Sequence, residues 1–384
     1  MHICSVSNHF MNTFMPYDRT RPFNELPMLP PNSDVEDIEI LRKLVTTARA
    51  LADANSTVKR LPNPYMLINT IALQEAKTST AIENIFTTED ELYKAVSDTV
   101  KENDANMGTK EVLRYREALW QGYDLLKDKE EIDMECITGI FQKIKNTADG
   151  LRAPQSLTVI NRGRSEFRAG EVIYTPPRGV GVLEPLMENL LEYLNDEVKY
   201  PVDPLLKMCI AHYQFEAIHP FRDGNGRTGR ILNLLYLVHK GLLDQPVLYL
   251  SKYIITNKDD YYYHLGVVTQ RGSWKPWILY MLEAIEKTSL LTSQLIISIL
   301  NQMDATLEHA RSHIKWYNKE VNEAIFSQPY IKPKFIGNVL GVTSRTTLTK
   351  YFTELVDARI LQPAKEGREV FYINGDLISI LEGQ

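Results

Sequence analysis

Apolar residues recur every three or four positions through most of the chain, which predicts a mainly helical protein. The first such segment runs from Val35 to Ala54, and Ser33 or Asp34 precedes it as a candidate N-cap. Pro62 and Pro64 open the second helix, because proline is tolerated in the first helical turn. The same period predicts helices over residues 90–100, 110–127, 133–145, 205–218 and 227–240, and from Gly272 towards Trp316.

Two stretches depart from this pattern. Residues 157–160 and 171–174 are strand-like and are separated by a segment that contains Gly163 and Gly170, which predicts a β-hairpin. Near the C-terminus, residues 334–340 and 344–357 are two helical segments joined by a turn at Gly341, and residues 362–365 and 370–373 are short strands. That order resembles a winged helix–turn–helix domain.

The domain organisation follows from these elements. Prolines concentrated between Pro16 and Pro31 keep the N-terminus out of helix, so residues 1–34 are expected to form an extended arm. We expect an N-terminal helical region at 35–130, a core at 131–300, and a linker helix with the small C-terminal domain at 301–384. The predicted fold class is therefore mainly α, a helical bundle with one hairpin and this small domain.

The amino-acid composition indicates the class of protein and its expected location. With 44% apolar and 24% charged residues, the chain is typical of soluble globular proteins, and its net charge of −6 argues against binding polyanions through bulk charge. Cys4, Cys136 and Cys209 are isolated, so we expect no disulfide framework and no zinc site, and a cytoplasmic location. Neither a signal-peptide pattern nor an apolar run long enough to span a membrane is present, so no membrane partner is expected.

The segment richest in chemical groups runs from His219 to Arg230, with the sequence His-Pro-Phe-Arg-Asp-Gly-Asn-Gly-Arg-Thr-Gly-Arg. Pro220 ends one helix, and a glycine-rich turn leads into the next. Such a turn presents free backbone N–H groups and the positive end of the helix dipole to an anion. We expect Gly224 and Gly226 to allow close approach and positive φ.

The charged side chains of this segment match a phosphate ligand. Arg227 and Arg230 lie three residues apart on one helix face and can hold phosphate oxygens in bidentate pairs. Asp223 is a natural Mg²⁺ ligand beside phosphates, because Mg²⁺ is usually held by one or two carboxylates and substrate oxygens. His219 can exchange a proton near neutral pH.

The segment resembles the signature of the Fic family (filamentation induced by cAMP), His-x-Phe-x-Asp/Glu-Gly-Asn-Gly-Arg-x-x-Arg, at all eight fixed positions. The resemblance implies a Fic-fold bundle that transfers AMP from ATP to a Tyr, Ser or Thr hydroxyl of a target protein or of itself, releasing pyrophosphate. It implies His219 as the base and Asp223 as the Mg²⁺ ligand, while Phe221 is expected to be core. The implied ATP contacts are Gly224, Asn225, Gly226, Arg227, Thr228, Gly229, Arg230, Tyr261 and Tyr262.

Residues Ser79 to Asn84 gain a meaning from this resemblance. Taken alone, Ser-Thr-Ala-Ile-Glu-Asn is the polar end of a helix. Many Fic proteins carry an inhibitory helix of pattern Ser/Thr-x-x-x-Glu-Gly/Asn, and Ser79, Glu83 and Asn84 match it. The resemblance implies that Glu83 pairs with Arg230 in the place of the γ-phosphate, and that Ser79 and Asn84 orient the helix.

Two further surfaces are candidate docking sites. The hairpin resembles the Fic flap, whose exposed edge receives a target segment by strand pairing; the implied residues are Glu171, Val172, Ile173 and Tyr174. In the C-terminal domain the outward-facing candidates for DNA contact are Arg345, Thr346, Thr349 and Lys350. From Arg311 onward ten Lys and Arg stand against eight Asp and Glu, a weak electrostatic footprint that leaves both DNA and protein partners open.

Alternative functions use the same scaffold. A Doc-type kinase carries Lys where this chain has Gly226, so Gly226 favours AMP transfer over phosphate transfer. AMP removal is a second alternative, with Glu83 positioning water. A DNA-binding regulator that only senses nucleotide is a third, and His219 argues against it because sensing needs no base. A homodimer is also open.

Overall fold

The computed structural model describes residues 17–61, 64–97, 105–161, 170–366 and 369–383. Residues 1–16 of the predicted arm lie outside these ranges, and residues 17–34 contain no helix or strand. In the described part of the chain, no helix is long and apolar enough to cross a membrane. The helices of the N-terminal and central regions are α1 Ile38–Val58, α2 Pro64–Ile82, α3 Glu89–Ser97, α4 Met107–Leu126, α5 Met134–Lys145, α6 Leu183–Asn195, α7 Pro204–Ile218, α8 Asn225–His239, α9 Leu250–Thr256, α10 Lys258–Arg271 and α11 Trp274–His313.

Helix α7 is the centre of the bundle. Nearly all of its side chains are buried, and it packs against α6, α8 and α11. A helix that is apolar on every side is buried rather than amphipathic. Pro204 stands in its first turn, and the Asp203 carboxylate caps it by accepting the backbone N–H of Leu205 at 2.8 Å. The turn from α7 to α8 is therefore held between two packed helices.

The N-terminal helices surround this centre. Helix α1 runs along α11, while α2 packs on α4 and α9, and α4 packs on α5 and α8. The expected cap of α1 is wrong: Asp37, rather than Ser33 or Asp34, accepts the backbone N–H groups of Glu39 and Ile40 at 2.9 and 3.0 Å. Since several acidic residues precede α1, the pattern alone does not single out the cap.

The predicted hairpin forms but is shorter than expected. Strands β1 (Ile160–Asn161) and β2 (Val172–Tyr174) are antiparallel, with Ile160 opposite Tyr174. Residues 157–159 are not in the strand, and residues 162–169 lie outside the described ranges. The Tyr174 hydroxyl donates to the Ala217 carbonyl at 2.8 Å, which fastens β2 to the end of α7.

The C-terminal region contains the predicted helices and strands and three more elements. In chain order, the elements of this region are α12 Lys319–Phe326, β3 Tyr330–Ile331, α13 Pro333–Leu340, α14 Arg345–Asp357, β4 Gln362–Glu366, β5 Glu369–Ile373 and α15 Gly375–Glu382. The additional ones are α12, β3 and α15. Gly341 ends α13 with φ +66°, and Ser344 caps α14. The sequence did not predict β3, which pairs with β5 to give the antiparallel order β3-β5-β4. This region shares a hydrophobic core with the second half of α11 and the end of α1.

Candidate functional site

The loop between α7 and α8 is closed by the Asn225 side chain. Its Oδ1 accepts the Phe221 N–H at 2.8 Å, and its Nδ2 donates to the Phe221 carbonyl at 2.9 Å. Phe221 is buried and stacks on Phe141 with ring centroids 4.0 Å apart, as expected for a core residue. Both polar atoms of the Asn225 side chain bond within the loop, and its expected contact with ATP stays a prediction.

Arg152, which the sequence did not identify as a site residue, also holds the loop through hydrogen bonds. Its Nε donates to the His219 carbonyl at 2.8 Å, and its guanidinium also donates to the carbonyls of Ile218 and Pro177. The Arg152 backbone N–H donates to the Pro220 carbonyl at 2.9 Å. This buried arginine thus holds the loop in place from the segment that precedes the hairpin.

His219 is held in one orientation and one protonation state. It ends α7 in the left-handed conformation, with φ 49°. Its Nδ1 lies 3.3 Å from the Glu216 carbonyl, which can only accept, so Nδ1 carries the hydrogen and Nε2 keeps a lone pair. Burial lowers the pKa of His219 to about 4, more strongly than the bond to Glu216 raises it. The imidazole is therefore neutral at pH 7.

Helix α8 begins directly after Gly224. Gly224 has φ +79°, as expected, whereas Gly226 lies within the helix, so the expectation of positive φ at Gly226 is wrong. What Gly226 supplies is space: a Cβ there would overlap Oε1 of Glu83 and lie 2.9 Å from the Arg230 guanidinium. The first turn of α8 is thus open enough for a carboxylate to lie against it.

Arg230 is held by the end of α2. Its side chain is 2% exposed, and it donates to the Ser79 hydroxyl at 2.7 Å, to the Ser79 carbonyl at 2.9 Å and to Glu83 Oε1 at 2.7 Å. Burial raises the pKa of Glu83, but the charge and hydrogen bond of Arg230, together with the charges of Arg227 and Lys258, hold that pKa below its usual value. Asn84 follows with φ 60° and ends the turn. The structure therefore brings Ser79, Glu83 and Arg230 together.

Arg227 and Asp223 are also paired, by residues that the sequence analysis missed. Buried Arg227 forms an ion pair with Glu111 of α4. Lys145, the last residue of α5, lies 2.7 Å from Asp223 Oδ2 and 4.0 Å from Glu111. Glu111 and Lys145 are ordinary charged residues at unremarkable spacing in the sequence, so only the packing of α4 and α5 on α8 identifies them.

The side chains at this site could bind Mg²⁺ only together with oxygen atoms of a bound ligand. Among the described residues, no three His, Cys, Asp or Glu side chains come together as a metal site. Asp223 has a 67% exposed side chain, and its Oδ1 already accepts the Gly224 N–H at 2.6 Å. One carboxylate completed by phosphate oxygens is the usual Mg²⁺ environment. Lys145 has to leave Oδ2 before a cation can bind there.

Three other expected ATP contacts lie in packed surroundings. The Thr228 hydroxyl donates to the Gly224 carbonyl at 2.9 Å, and a Cβ at Gly229 would lie 3.0 Å from Phe215. Tyr261 is 2% exposed, and its hydroxyl lies 2.9 Å from His212 Nε2. In this conformation each of the three residues supports packing, and their expected contacts with ATP stay predictions. Tyr262 is partly exposed and lies near Glu83 and Arg230, so its expected contact remains a prediction.

The expected docking residues lie at the surface of the described structure. In the hairpin, Glu171 pairs with Arg19 at 2.6 Å, and Val172, Ile173 and Tyr174 are partly exposed. The N-terminal arm reaches the end of β2, where the Phe23 N–H donates to the Thr175 carbonyl at 3.0 Å. On α14 all four candidates for DNA contact are exposed, namely Arg345, Thr346, Thr349 and Lys350.

Comparison with known proteins gives three family matches along the chain. Residues 41–124 match the Fic/DOC family N-terminal model, and residues 139–237 match the Fic/DOC family model. Residues 302–377 match the model described as the C-terminal domain of SoFic-like protein adenylyltransferases. The second match includes the hairpin, the loop and all but the last two residues of α8.

Curated relatives are similar over part of their length. The protein adenylyltransferase fic-1 of Caenorhabditis elegans is 28% identical over 201 residues, 52% of this chain and 36% of that protein. The protein adenylyltransferase Fic of Drosophila willistoni is 30% identical over 166 residues, 42% of this chain and 30% of that protein. The matched segments thus span about a third of these relatives.

Solved structures show the same fold at low identity. A Fic family protein from Desulfovibrio desulfuricans G20 matches with a TM-score of 0.56 and 18% identity, over 90% of this chain and 98% of that one. A Fic-domain signalling protein from Bacteroides thetaiotaomicron matches with a TM-score of 0.52 and 18% identity, over 66% of this chain and 96% of that one. The chain is therefore similar to Fic/DOC family proteins in its fold and in two successive segments of its sequence.

Proposed function

We propose that this chain transfers AMP from ATP to a hydroxyl group of a protein, and that its own Glu83 restrains the reaction. The observation that carries the proposal is the contact of Glu83 with buried Arg230 across Gly226, at the anion-binding end of α8. A carboxylate there takes up the positive charge that a nucleotide phosphate would otherwise neutralise. The curated relatives named above, which are protein adenylyltransferases, support the same chemistry.

His219 would act on the attacking hydroxyl. Its free Nε2 takes the proton as the hydroxyl oxygen bonds to the α-phosphorus, and the bond from the α-phosphorus to the bridging oxygen breaks, so that pyrophosphate leaves with the electron pair. Such general-base help is typically worth about 10²–10⁴ in rate. Arg152 keeps the imidazole in place through the His219 carbonyl. The target is a Tyr, Ser or Thr side chain docked along β2.

The first turn of α8 would bind the phosphates. The backbone N–H groups that follow Gly224 face the α-phosphate, and Arg227 and Arg230 hold the outer phosphates once their present partners withdraw. Mg²⁺ would neutralise phosphate charge when bound. Asp223 is the residue to hold it, after Lys145 has moved from Oδ2.

The restraint has a modest expected size. A hydrogen bond between charged groups contributes about 1.5–3 kcal/mol, or roughly 10- to 150-fold in an equilibrium. Because the Glu83 side chain is 32% exposed, solvent screening places it near the lower end, about tenfold. Glu83 would therefore weaken ATP binding rather than abolish it.

Residues 301–384 would serve as a separate docking module. The two helices α13 and α14 with the β4–β5 hairpin support a winged helix–turn–helix, and the exposed face of α14 supports contact with DNA or a protein. The near balance of charge in this region favours a protein partner over DNA.

The proposal is tested with ATP labelled at either the α- or the γ-phosphate. We compare wild type with Glu83→Gly in Mg²⁺, and add His219→Ala as the control without a base. We expect protein labelled only from the α position, more strongly in Glu83→Gly, and unlabelled once His219 is replaced. Label from the γ position would mean phosphate transfer. Absence of label, together with release of AMP from a modified protein, would mean AMP removal.

A further inference from the structure

A cavity of about 530 Å³ opens between the N-terminal helices and the C-terminal region. Its walls include Leu73 of α2, Tyr93 of α3, Arg116 and Trp120 of α4, and Phe335 of α13. The volume lies within the roughly 300–1,000 Å³ of small-molecule sites. Its described lining contains none of the residues assigned above to the nucleotide site, so it is a separate feature of the molecule.

Two hydrogen-bond donors in this wall lack a protein partner. Among the residues that the structure describes, the buried Trp120 Nε1 atom has no hydrogen-bond acceptor. Within the described part of the chain, partly buried Arg116 makes no hydrogen bond or ion pair, since its neighbour Glu117 pairs instead with Lys143 at 2.8 Å. Burial accordingly lowers the pKa of Arg116. Removing a charge or a polar group from water costs free energy unless a partner replaces the water.

The remainder of the wall combines apolar and aromatic side chains with polar groups, including the ion pair of Glu117 and Lys143. Leu73, Tyr93 and Phe335 offer the kind of surface that covers the body of a drug-sized ligand, while a few polar groups orient it. A guanidinium binds carboxylate, sulfonate or phosphate oxygens in bidentate fashion, and an indole N–H is a donor only. Both unpartnered groups are hydrogen-bond donors, so a ligand that satisfies them has an acceptor oxygen for each. The acceptor that binds the guanidinium is negatively charged.

We propose that this cavity binds a small organic anion, with its charged group on Arg116, an acceptor oxygen on the Trp120 N–H and an apolar body against Leu73, Tyr93 and Phe335. The proposal is independent of the function proposed for the nucleotide site. The cavity nevertheless shares two helices with that site: α2 carries Ser79 and α4 carries Glu111. The Thr70 hydroxyl, which donates to the Ser327 carbonyl at 2.7 Å, ties α2 to the C-terminal segment at the cavity wall.

The test uses the aromatic anion 8-anilinonaphthalene-1-sulfonate, titrated against the full chain by fluorescence. We expect one saturable site in wild type. Arg116→Met keeps the unbranched apolar stem of the side chain and removes its charge, so it should weaken binding by at least about tenfold, as for a hydrogen bond to a charged group. The matched control is Arg49→Met, at an exposed arginine on α1, which should leave the affinity unchanged.

A neutral probe separates charge from apolar contact. N-phenyl-1-naphthylamine has the same rings without the sulfonate, so Arg116→Met should not weaken its binding. If Arg116→Met fails a thermal unfolding check, Trp120→Phe decides. It removes the indole donor while keeping an aromatic ring, so the lost apolar contact affects both probes and the lost donor should weaken the sulfonate probe more than the neutral one. Equal sulfonate affinity in wild type and in the folded variant, or no saturable site in wild type, would overturn the proposal.

Discussion

The protonation state of His219 decides whether a base is available at the site. Burial lowers its pKa to about 4 from the ordinary 6.5, and the bond from Nδ1 to the Glu216 carbonyl leaves Nε2 unprotonated. Lowering the pKa makes the imidazole a weaker base, but it is fully in the active form at neutral pH. In the proposed reaction the base would therefore be a positioned neutral imidazole rather than a strongly basic one.

The lowered pKa of His219 predicts the pH at which kcat/KM for AMP transfer falls on the acid side. For the released variant Glu83→Gln, we expect kcat/KM for AMP transfer to stay within about twofold from about pH 5 to about pH 8. The reason is that loss of the base form begins only near the lowered pKa of about 4. The Glu83 charge raises the pKa of His219. Its removal therefore lowers that pKa and moves the fall in kcat/KM to a lower pH. An inflection near 6.5 would show that His219 titrates as an ordinary exposed histidine.

Glu111 gives a second prediction for a single residue. Its partner Arg227 is buried, and removing one member of a buried ion pair costs about 3–5 kcal/mol because the other charge is left uncompensated. We expect Glu111→Gln to lower the free energy of unfolding by about 3 kcal/mol. ATP should restore more stability to this variant than to wild type, because phosphate oxygens replace the lost carboxylate on Arg227.

Denaturant unfolding with and without ATP measures both quantities. Glu117→Gln is the control on the same helix: its carboxylate is 48% exposed and its pair with Lys143 is a surface contact, so the change should be below about 1 kcal/mol. Equal losses in the two variants would show that the Glu111 pair contributes no more than a surface pair.

At the scale of elements, the position of α2 is set by buried Glu75. The Glu75 carboxylate accepts the Ser251 N–H at 2.9 Å and the Ser251 hydroxyl at 2.5 Å, which joins α2 to the first turn of α9. Ser79 and Glu83 lie at the end of the same helix or directly after it. Glu75 therefore helps to hold the segment from Ser79 to Glu83 against Arg230.

The titration of Glu75 makes this anchor testable. Burial raises its pKa from 4.5 to about 7, although the bonds from Ser251 oppose that rise. The folded state then binds more protons than the unfolded state between these values, so this group's contribution to stability is lost as pH rises through them. At about 1.36 kcal/mol per pKa unit the loss is about 3 kcal/mol.

Glu75→Gln cannot titrate. The difference in unfolding free energy, variant minus wild type, should therefore rise by about 3 kcal/mol between about pH 4.5 and about pH 8. Urea denaturation at several pH values measures it, and contributions common to both proteins cancel. A difference that does not change with pH would mean that the Glu75 pKa is the same in the folded and unfolded states.

The elements also show what the sequence could and could not predict. The boundaries of α7 and α8 follow from Pro204, Pro220 and Gly224, which act locally, and the segment that they enclose was identified correctly. The contacts of Arg152 and Lys145 were not predictable, because each reaches the loop from a distant part of the chain. Strand β3 has only two residues and is defined by its pairing with β5. It is too short to show a periodic pattern in the sequence.

At the scale of the whole molecule, the charges of the candidate site are paired by elements that pack around it. Glu83 pairs with Arg230, Glu111 pairs with Arg227, and Lys145 pairs with Asp223. Each charge that would face a nucleotide phosphate or its metal is therefore neutralised within the chain. The C-terminal region shares a core with α11 and the end of α1, so it is joined to the bundle rather than tethered to it.

The central claim is that Glu83 stands in for the outermost phosphate of ATP. Calorimetry of ATP and of AMP binding to wild type and to Glu83→Gln, in Mg²⁺, tests it most directly. We predict that the variant binds ATP about tenfold more tightly than wild type, from the loss of one partly screened charged hydrogen bond, and binds AMP with unchanged affinity. An equal gain for AMP, or no gain for ATP, would contradict the claim.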